Sequence, residues 1–188
     1  MRYHSITNDD VVNGEGICTV LRMQGCDIHC DGCNNKELWN YDDGQEISIE
    51  ELALKINDLI HKDGIVRNFS ILGGEPLSPR NFYATLAIID VIRELNPNIK
   101  IFLWTRYSIH TSPNFYLYLL DDFKKIDYII DGKYDKTQRD TTLHLCSSKN
   151  QTIIDVKKCI KEMEKLDLKY AKEHEKGLMK LKPIKERK

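Results

Sequence analysis

Apolar positions along the chain switch between two periods. Short runs rich in β-branched residues at 17–23, 65–72, 99–104 and 126–130 have the length and composition of buried strands. Between the first two, Leu52, Leu54, Ile56, Leu59 and Ile60 recur at helical spacing over 49–61. Ser48 and Glu51 precede them with the pattern of a capping box. A second helix is expected from Pro79 to about Leu95, where Asn96-Pro97 ends it, and a third over 114–124. Residues 151–154 read as a last strand. A helix then starts at Asp155, with Val156, Ile160 and Met163 on one face. Strands that alternate with helices predict an α/β fold with mostly parallel strands and right-handed crossovers.

In sheets of this kind, chemistry collects at the carboxyl ends of the strands. Four segments of the sequence fall there: the loop bearing Cys26, Cys30 and Cys33, then Gly73-Gly74-Glu75-Pro76, Trp104-Thr105, and Asp131-Gly132-Lys133-Tyr134. All four are expected on one rim.

Composition narrows the class. With 188 residues, 41% hydrophobic and 30% charged, the chain suits a soluble domain with a single core. No apolar stretch reaches the length that spans a bilayer, and Met1-Arg2-Tyr3-His4-Ser5 does not begin a signal peptide. Together with cysteines spaced as metal ligands, this points to the cytoplasm. The formal net charge of -1 gives the whole protein no electrostatic footprint for nucleic acid. The charge is unevenly placed, however: residues 161–188 hold ten Lys/Arg against six Asp/Glu. A core domain over 1–156 and a lysine-rich helical tail over 157–188 are the expected division.

The cysteines carry the sharpest signal. Cys26, Cys30 and Cys33 form a Cys-x3-Cys-x2-Cys triplet, one thiolate short of the four that closed zinc or iron–sulfur sites use. A four-iron cluster on three cysteines leaves one iron open to another ligand. With His29 as fourth ligand, the same run fits a Cys3His zinc knuckle, and a non-catalytic zinc or iron–sulfur module stays open on residues alone. Cys18, Cys146 and Cys159 supply no second pair, and His4, His61, His110, His144 and His174 have no ligand spacing. Gly73-Gly74 at a strand end lets backbone approach a ligand closely, and Glu75 adds a negative partner. Trp39, Trp104, Asp131 and Lys133 stand beside these motifs, as wall or contact residues or as plain core and turn.

The triplet, followed by Gly73-Gly74-Glu75-Pro76-Leu77-Ser78-Pro79, resembles the signature of the radical S-adenosylmethionine superfamily. Within it, the chain resembles the activating proteins of anaerobic (class III) ribonucleotide reductases. Val12-Asn13-Gly14-Glu15-Gly16, Gln24-Gly25-Cys26, Asp31 through Lys36 with Trp39, Trp104-Thr105, Ile130 through Tyr134, and Ser148 through Gln151 carry that likeness over about residues 3–156. Cys18, Asn34, Arg106 and Cys146-Ser147 depart from the usual pattern; position 106 is commonly glycine. The resemblance implies an incomplete, open-sided (β/α) barrel, since a full one typically takes ~250 residues. It implies a [4Fe-4S] cluster on Cys26, Cys30 and Cys33, with S-adenosylmethionine on its open iron. Gly73, Gly74 and Glu75 would receive the methionine ammonium, and Gly32, Cys33 and Asn34 would lie against the cofactor. The implied activity is reductive cleavage to a 5′-deoxyadenosyl radical, which takes hydrogen from a glycine in the reductase large subunit. The implied partners are that subunit, a flavodoxin or ferredoxin as electron donor, and a second copy in a homodimer. Activators of other glycyl-radical enzymes and small 7-carboxy-7-deazaguanine synthases share the signature.

Overall fold

Seven strands form one open sheet in the computed structural model, which describes residues 1–111, 123–165 and 169. They are β1 (Arg2–Asp10), β2 (Cys18–Met23), β3 (Gln45–Glu46), β4 (Asn68–Gly73), β5 (Ile101–Trp104), β6 (Tyr128–Asp131) and β7 (Thr152–Asp155), in the spatial order β3-β1-β2-β4-β5-β6-β7. The central strands β2, β4, β5 and β6 run parallel. The pairs β1–β2, β1–β3 and β6–β7 are antiparallel. The parallel block is thus as expected, while the flanks reverse direction.

Burial explains which strands were legible. β2, β4, β5 and β6 are covered on both faces, so they read as continuous apolar runs. β1 and the two-residue β3 are the strands the pattern missed. Only Tyr3 in β1 is buried, and polar residues fill most of its other positions. The second run begins as a strand only at Asn68, because Ile65 and Val66 lie exposed after a 3-10 turn at Lys62–Gly64.

Helix α1 (Ile49–Ile60) starts where the capping box placed it. The Glu51 N–H donates to Ser48 Oγ at 3.1 Å, and the Ser48 N–H to Glu51 Oε2 at 3.3 Å. Helix α2 (Phe82–Leu95) begins three residues after the expected Pro79. Asn81 stands at its N-cap position but makes no capping bond. Its amide donates to the carbonyls of Gln24 (3.0 Å) and Glu75 (3.1 Å) instead, which draws the segment toward the rim. Leu52, Ile56 and Ile60 of α1, and Ile88, Ile89 and Ile92 of α2, pack with Leu21, Met23, Phe69, Ile71, Leu103 and Ile129 in one core on one sheet face. Residues 156–165 form a closing helix, whose Val156, Ile160 and Met163 join that core. On the opposite face Val20, Leu72, Phe102, Trp104 and Ile130 are covered by Leu145 and Cys146 from the irregular segment after β6. The helix expected over 114–124 falls almost wholly on residues outside those described, as does the tail beyond 165 apart from 169; Phe123–Lys125 is a 3-10 turn.

Candidate iron–sulfur site

The cysteine loop leaves the end of β2 and is tied at its base on two sides. The Gly25 N–H donates to Leu38 O (2.8 Å) and the Cys26 N–H to Trp39 O (3.0 Å). On the other side, the Glu75 N–H donates to Gly25 O at 2.8 Å and the Gly74 N–H to Met23 O at 2.9 Å. Gly74 must be glycine for this second tie: a Cβ there would fall well inside contact distance of Gly25 O. A Cβ at either glycine of the turn would meet the chain's own backbone, at Met23 for Gly73 and at Gly25 for Gly74.

Within the loop, Cys26 and Cys30 are buried and Cys33 is half-buried; all three are free thiols. The chain turns between the first two through His29, at φ 46°, and the His29 ring stacks on Trp39 with centroids 4.3 Å apart. The Cys33 N–H donates to Cys30 O at 3.1 Å, and an ion pair between Asp31 and Lys136 (2.6 Å) braces the loop from the segment after β6. Sulfur is already a target for backbone donors: Cys33 Sγ accepts from the Asn35 N–H at 3.4 Å, and Cys26 Sγ from the N–H groups of Ile28 and His29. Burial raises the Cys26 thiol above its ordinary pKa, against the pull of those two donors.

This donor set fits a cysteine-held cluster. Hydrogen bonds from backbone N–H groups to thiolate sulfur are among the features that set a cluster's potential. Among the described residues, no three His, Cys, Asp or Glu side chains stand close enough together to hold a metal ion, Cys26, Cys30 and Cys33 included. Cys30 and Cys33 line one small cavity of about 80 Å³ with Asn34, Arg106, Tyr134 and Gln151. Cys26 lines a neighbouring cleft of about 450 Å³ with His29, Trp39, Tyr41 and Arg80.

Glu75 lies beneath this loop with no exposed surface. Its Oε1 accepts the Thr105 hydroxyl (2.7 Å) and the Leu77 N–H (2.9 Å), and its Oε2 the Arg106 N–H (2.7 Å). Burial raises its pKa, opposed by these donors and by the Arg106 charge. The carboxylate therefore joins the ends of β4 and β5 instead of facing open space. Tyr107 sets its hydroxyl 3.4 Å from both oxygens of Asp27. Burial first, then the Asp27 and Glu75 charges, push its phenol up to about 12, so it stays protonated. Asp131, fully buried, accepts from the His110 N–H (2.9 Å) and meets His110 Nδ1 at 2.7 Å. The sequence assigns His110 no place, because a lone histidine distant from its aspartate along the chain gives no signal. Trp39 flanks the cysteine loop, while Trp104 belongs to the core and donates from Nε1 to Leu145 O at 3.0 Å.

The rim thus unites the cysteine loop, the glycine turn and the ends of β5 and β6 on one open α/β sheet. The profile of the 4Fe-4S single cluster domain family matches residues 12–154. Among curated proteins, the chain is 33% identical over 157 residues to the anaerobic ribonucleoside-triphosphate reductase-activating protein of Salmonella typhimurium, covering 81% of this chain and 97% of that one. It is 34% identical over 160 residues to the protein of that name from Vibrio cholerae, with the same two coverages. For the one from Enterobacteria phage T4, the identity is 32% over 139 residues, covering 72% of this chain and 83% of the relative. The chain belongs to the family of anaerobic ribonucleoside-triphosphate reductase-activating proteins.

Proposed function

We propose that this chain is a radical S-adenosylmethionine enzyme that installs a glycyl radical on the large subunit of an anaerobic ribonucleotide reductase. The observation that carries the reading is the bonding of a three-cysteine loop to the Gly73-Gly74-Glu75-Pro76 turn through Gly25, in a chain a third identical to activating proteins along most of its length. Cys26, Cys30 and Cys33 hold a [4Fe-4S] cluster, and the N–H groups of Ile28, His29 and Asn35 orient two of their sulfurs. What such a cluster supplies when bound is one electron for reductive cleavage of S-adenosylmethionine, releasing methionine and a 5′-deoxyadenosyl radical. Backbone at Gly73 and Gly74 receives the methionine ammonium, and Gly32, Cys33 and Asn34 lie along the cofactor. Glu75, sealed under the loop, acts by fixing the turn and the start of the β5 loop rather than by touching the ammonium.

The radical takes a hydrogen atom from a glycine α-carbon of the partner, giving 5′-deoxyadenosine and a glycyl radical. We read the open sheet as an incomplete barrel, whose missing side admits a loop of that large partner. A flavodoxin or ferredoxin in the cytoplasm supplies the electron, and the activator works as a homodimer.

The test is anaerobic reconstitution with iron and sulfide, followed by dithionite and S-adenosylmethionine. Wild-type protein should release 5′-deoxyadenosine, and Ala at Cys26, Cys30 or Cys33 should abolish it, whereas Cys159→Ala should not. With added reductase large subunit, the doublet of a glycyl radical should appear by electron paramagnetic resonance. An intact cluster that releases no 5′-deoxyadenosine would overturn the reading.

A further inference from the structure

Among the described residues no carboxylate bonds to the Arg106 guanidinium, although its charge acts on the buried Glu75. Arg2, Arg22, Arg67, Arg80 and Arg93 each meet a carboxylate, and Arg139 stands exposed in water. Arg106 is half-buried, yet its guanidinium makes no hydrogen bond or ion pair among the described residues. A half-buried guanidinium with no directly bonded anion keeps its fork of donors open to one from outside the chain. Its backbone is held in place: the Arg106 N–H and the Thr105 hydroxyl both donate to Glu75 at 2.7 Å.

The side chain lines the cavity of about 80 Å³ that also holds Cys30 and Cys33. Among the described residues, no acidic side chain lines that cavity. Gln151 has its polar atoms committed elsewhere: Oε1 accepts from the N–H groups of Ser147 (2.8 Å) and Ser148 (3.2 Å), and Nε2 donates to Gly132 O (3.1 Å). The remaining polar side chains on the wall, those of Arg106, Asn34, Asn35, Tyr134 and Ser147, all offer donors. A planar guanidinium pairs best with a carboxylate, through two parallel hydrogen bonds.

We infer that Arg106 is the counter-ion for the methionyl carboxylate of S-adenosylmethionine, set in the cavity beside Cys30 and Cys33. The inference rests on the cofactor reading above and adds to it a residue particular to this chain. S-adenosylmethionine has one anionic group and two cationic centres. Backbone acceptors at the glycine turn and the Arg106 donor then grip opposite charges of the same amino-acid moiety. Glu75, bonded to both segments, fixes the distance between the two grips. An acidic side chain of the protein partner would need to enter a cavity that is partly walled by the cluster ligands themselves.

The experiment measures equilibrium binding to anaerobically reconstituted full-length protein with two probes: S-adenosylmethionine and its decarboxylated analogue, which keeps the sulfonium, adenosine and amine. Arg106→Gln should weaken S-adenosylmethionine about tenfold or more, the scale of a lost charge-assisted pair, and change the analogue by less than twofold. Arg106→Lys should recover part of the loss, since charge returns without the two-pronged geometry. Iron content per chain is measured alongside; if Arg106→Gln loads poorly, the Arg106→Lys comparison carries the test. Equal weakening of both probes, or weakening of neither, overturns the inference while leaving the cofactor reading intact. Wild-type protein that loads its cluster and binds neither probe overturns the cofactor reading and the inference with it.

Discussion

Glu75 illustrates how a single residue's role changes once its partners are known. In sequence it is the acidic member of a glycine turn, and a carboxylate beside an ammonium-binding backbone invites a direct contact. The structure closes both its oxygens with donors from the chain, from Thr105, Leu77 and Arg106. Truncation to Ala would leave three buried donors without acceptors, and each stranded group costs on the order of 1–3 kcal/mol. Glu75→Ala should therefore lower unfolding free energy by about 3 kcal/mol after local relaxation, measured by urea denaturation of cluster-free protein. Glu75→Gln keeps one carbonyl acceptor but sets an amide N–H₂ against a donor, so its loss should be smaller, roughly 1–2 kcal/mol. A Glu75→Ala protein as stable as wild type would remove the carboxylate from its bridging position.

At the level of elements, the parallel block was legible because strands buried on both faces must be apolar throughout, and α1 because Ser48 and Glu51 mark its first turn. Three features escaped, the two-residue β3 being one of them. β1 pairs through its backbone while presenting polar side chains, so hydrophobic pattern holds little trace of it. The start of α2 shifted because Asn81 bonds to the rim in place of capping the helix, a long-range preference no local window contains. Of the site, the cysteine spacing and glycine turn were legible as motifs, but their mutual bonding was not; it depends on Gly25 and Gly74 meeting backbone to backbone. That contact yields a sharp contrast between two glycines. Gly74→Ala drives a methyl carbon into Gly25 O, which neither strand end can yield without moving the cysteine loop. Gly64 has φ +73° but nothing within 4 Å of an added methyl carbon, so Gly64→Ala costs only backbone strain of about 1 kcal/mol. Reconstituted Gly74→Ala should retain less than half the wild-type iron per chain, with Gly64→Ala unchanged. Equal iron content in the two variants would mean that the turn does not hold the loop.

On the scale of the whole molecule, the rim opposite the cysteines is gathered by Asp127. This buried residue, at the start of β6, joins three parts of the chain. Its Oδ2 accepts from Arg93 of α2 (2.5 Å) and from the Ile101 N–H of β5 (2.8 Å), while Oδ1 meets Lys157 of the closing helix at 2.5 Å. Burial by itself raises the carboxyl; Lys157, the Ile101 N–H and Arg93 outweigh it, and the net pKa lies below the ordinary value of 3.8. The sign of the linkage follows. A carboxyl that binds its proton less readily in the folded chain adds stability above its unfolded pKa, and that contribution drains away as pH falls through the lower, folded value. Stability contributed by Asp127 should thus be level from neutral pH down to about pH 4 and decline in the acid limb below it. Asp127→Asn keeps the shape, loses the charge on which two cations depend, and should cost about 2–3 kcal/mol near pH 7. Because Lys157 is largely exposed, most of that loss belongs to Arg93 and the Ile101 N–H rather than to the lysine. As pH falls through the folded value, the wild-type and Asp127→Asn stabilities should draw together, because the carboxyl then becomes neutral at this position. Urea unfolding at a series of pH values from about 2.5 to 7 measures both limbs. Parallel curves, offset by the same amount at every pH, would show that the amide substitution acts through packing and that the charge of Asp127 does not hold this rim together.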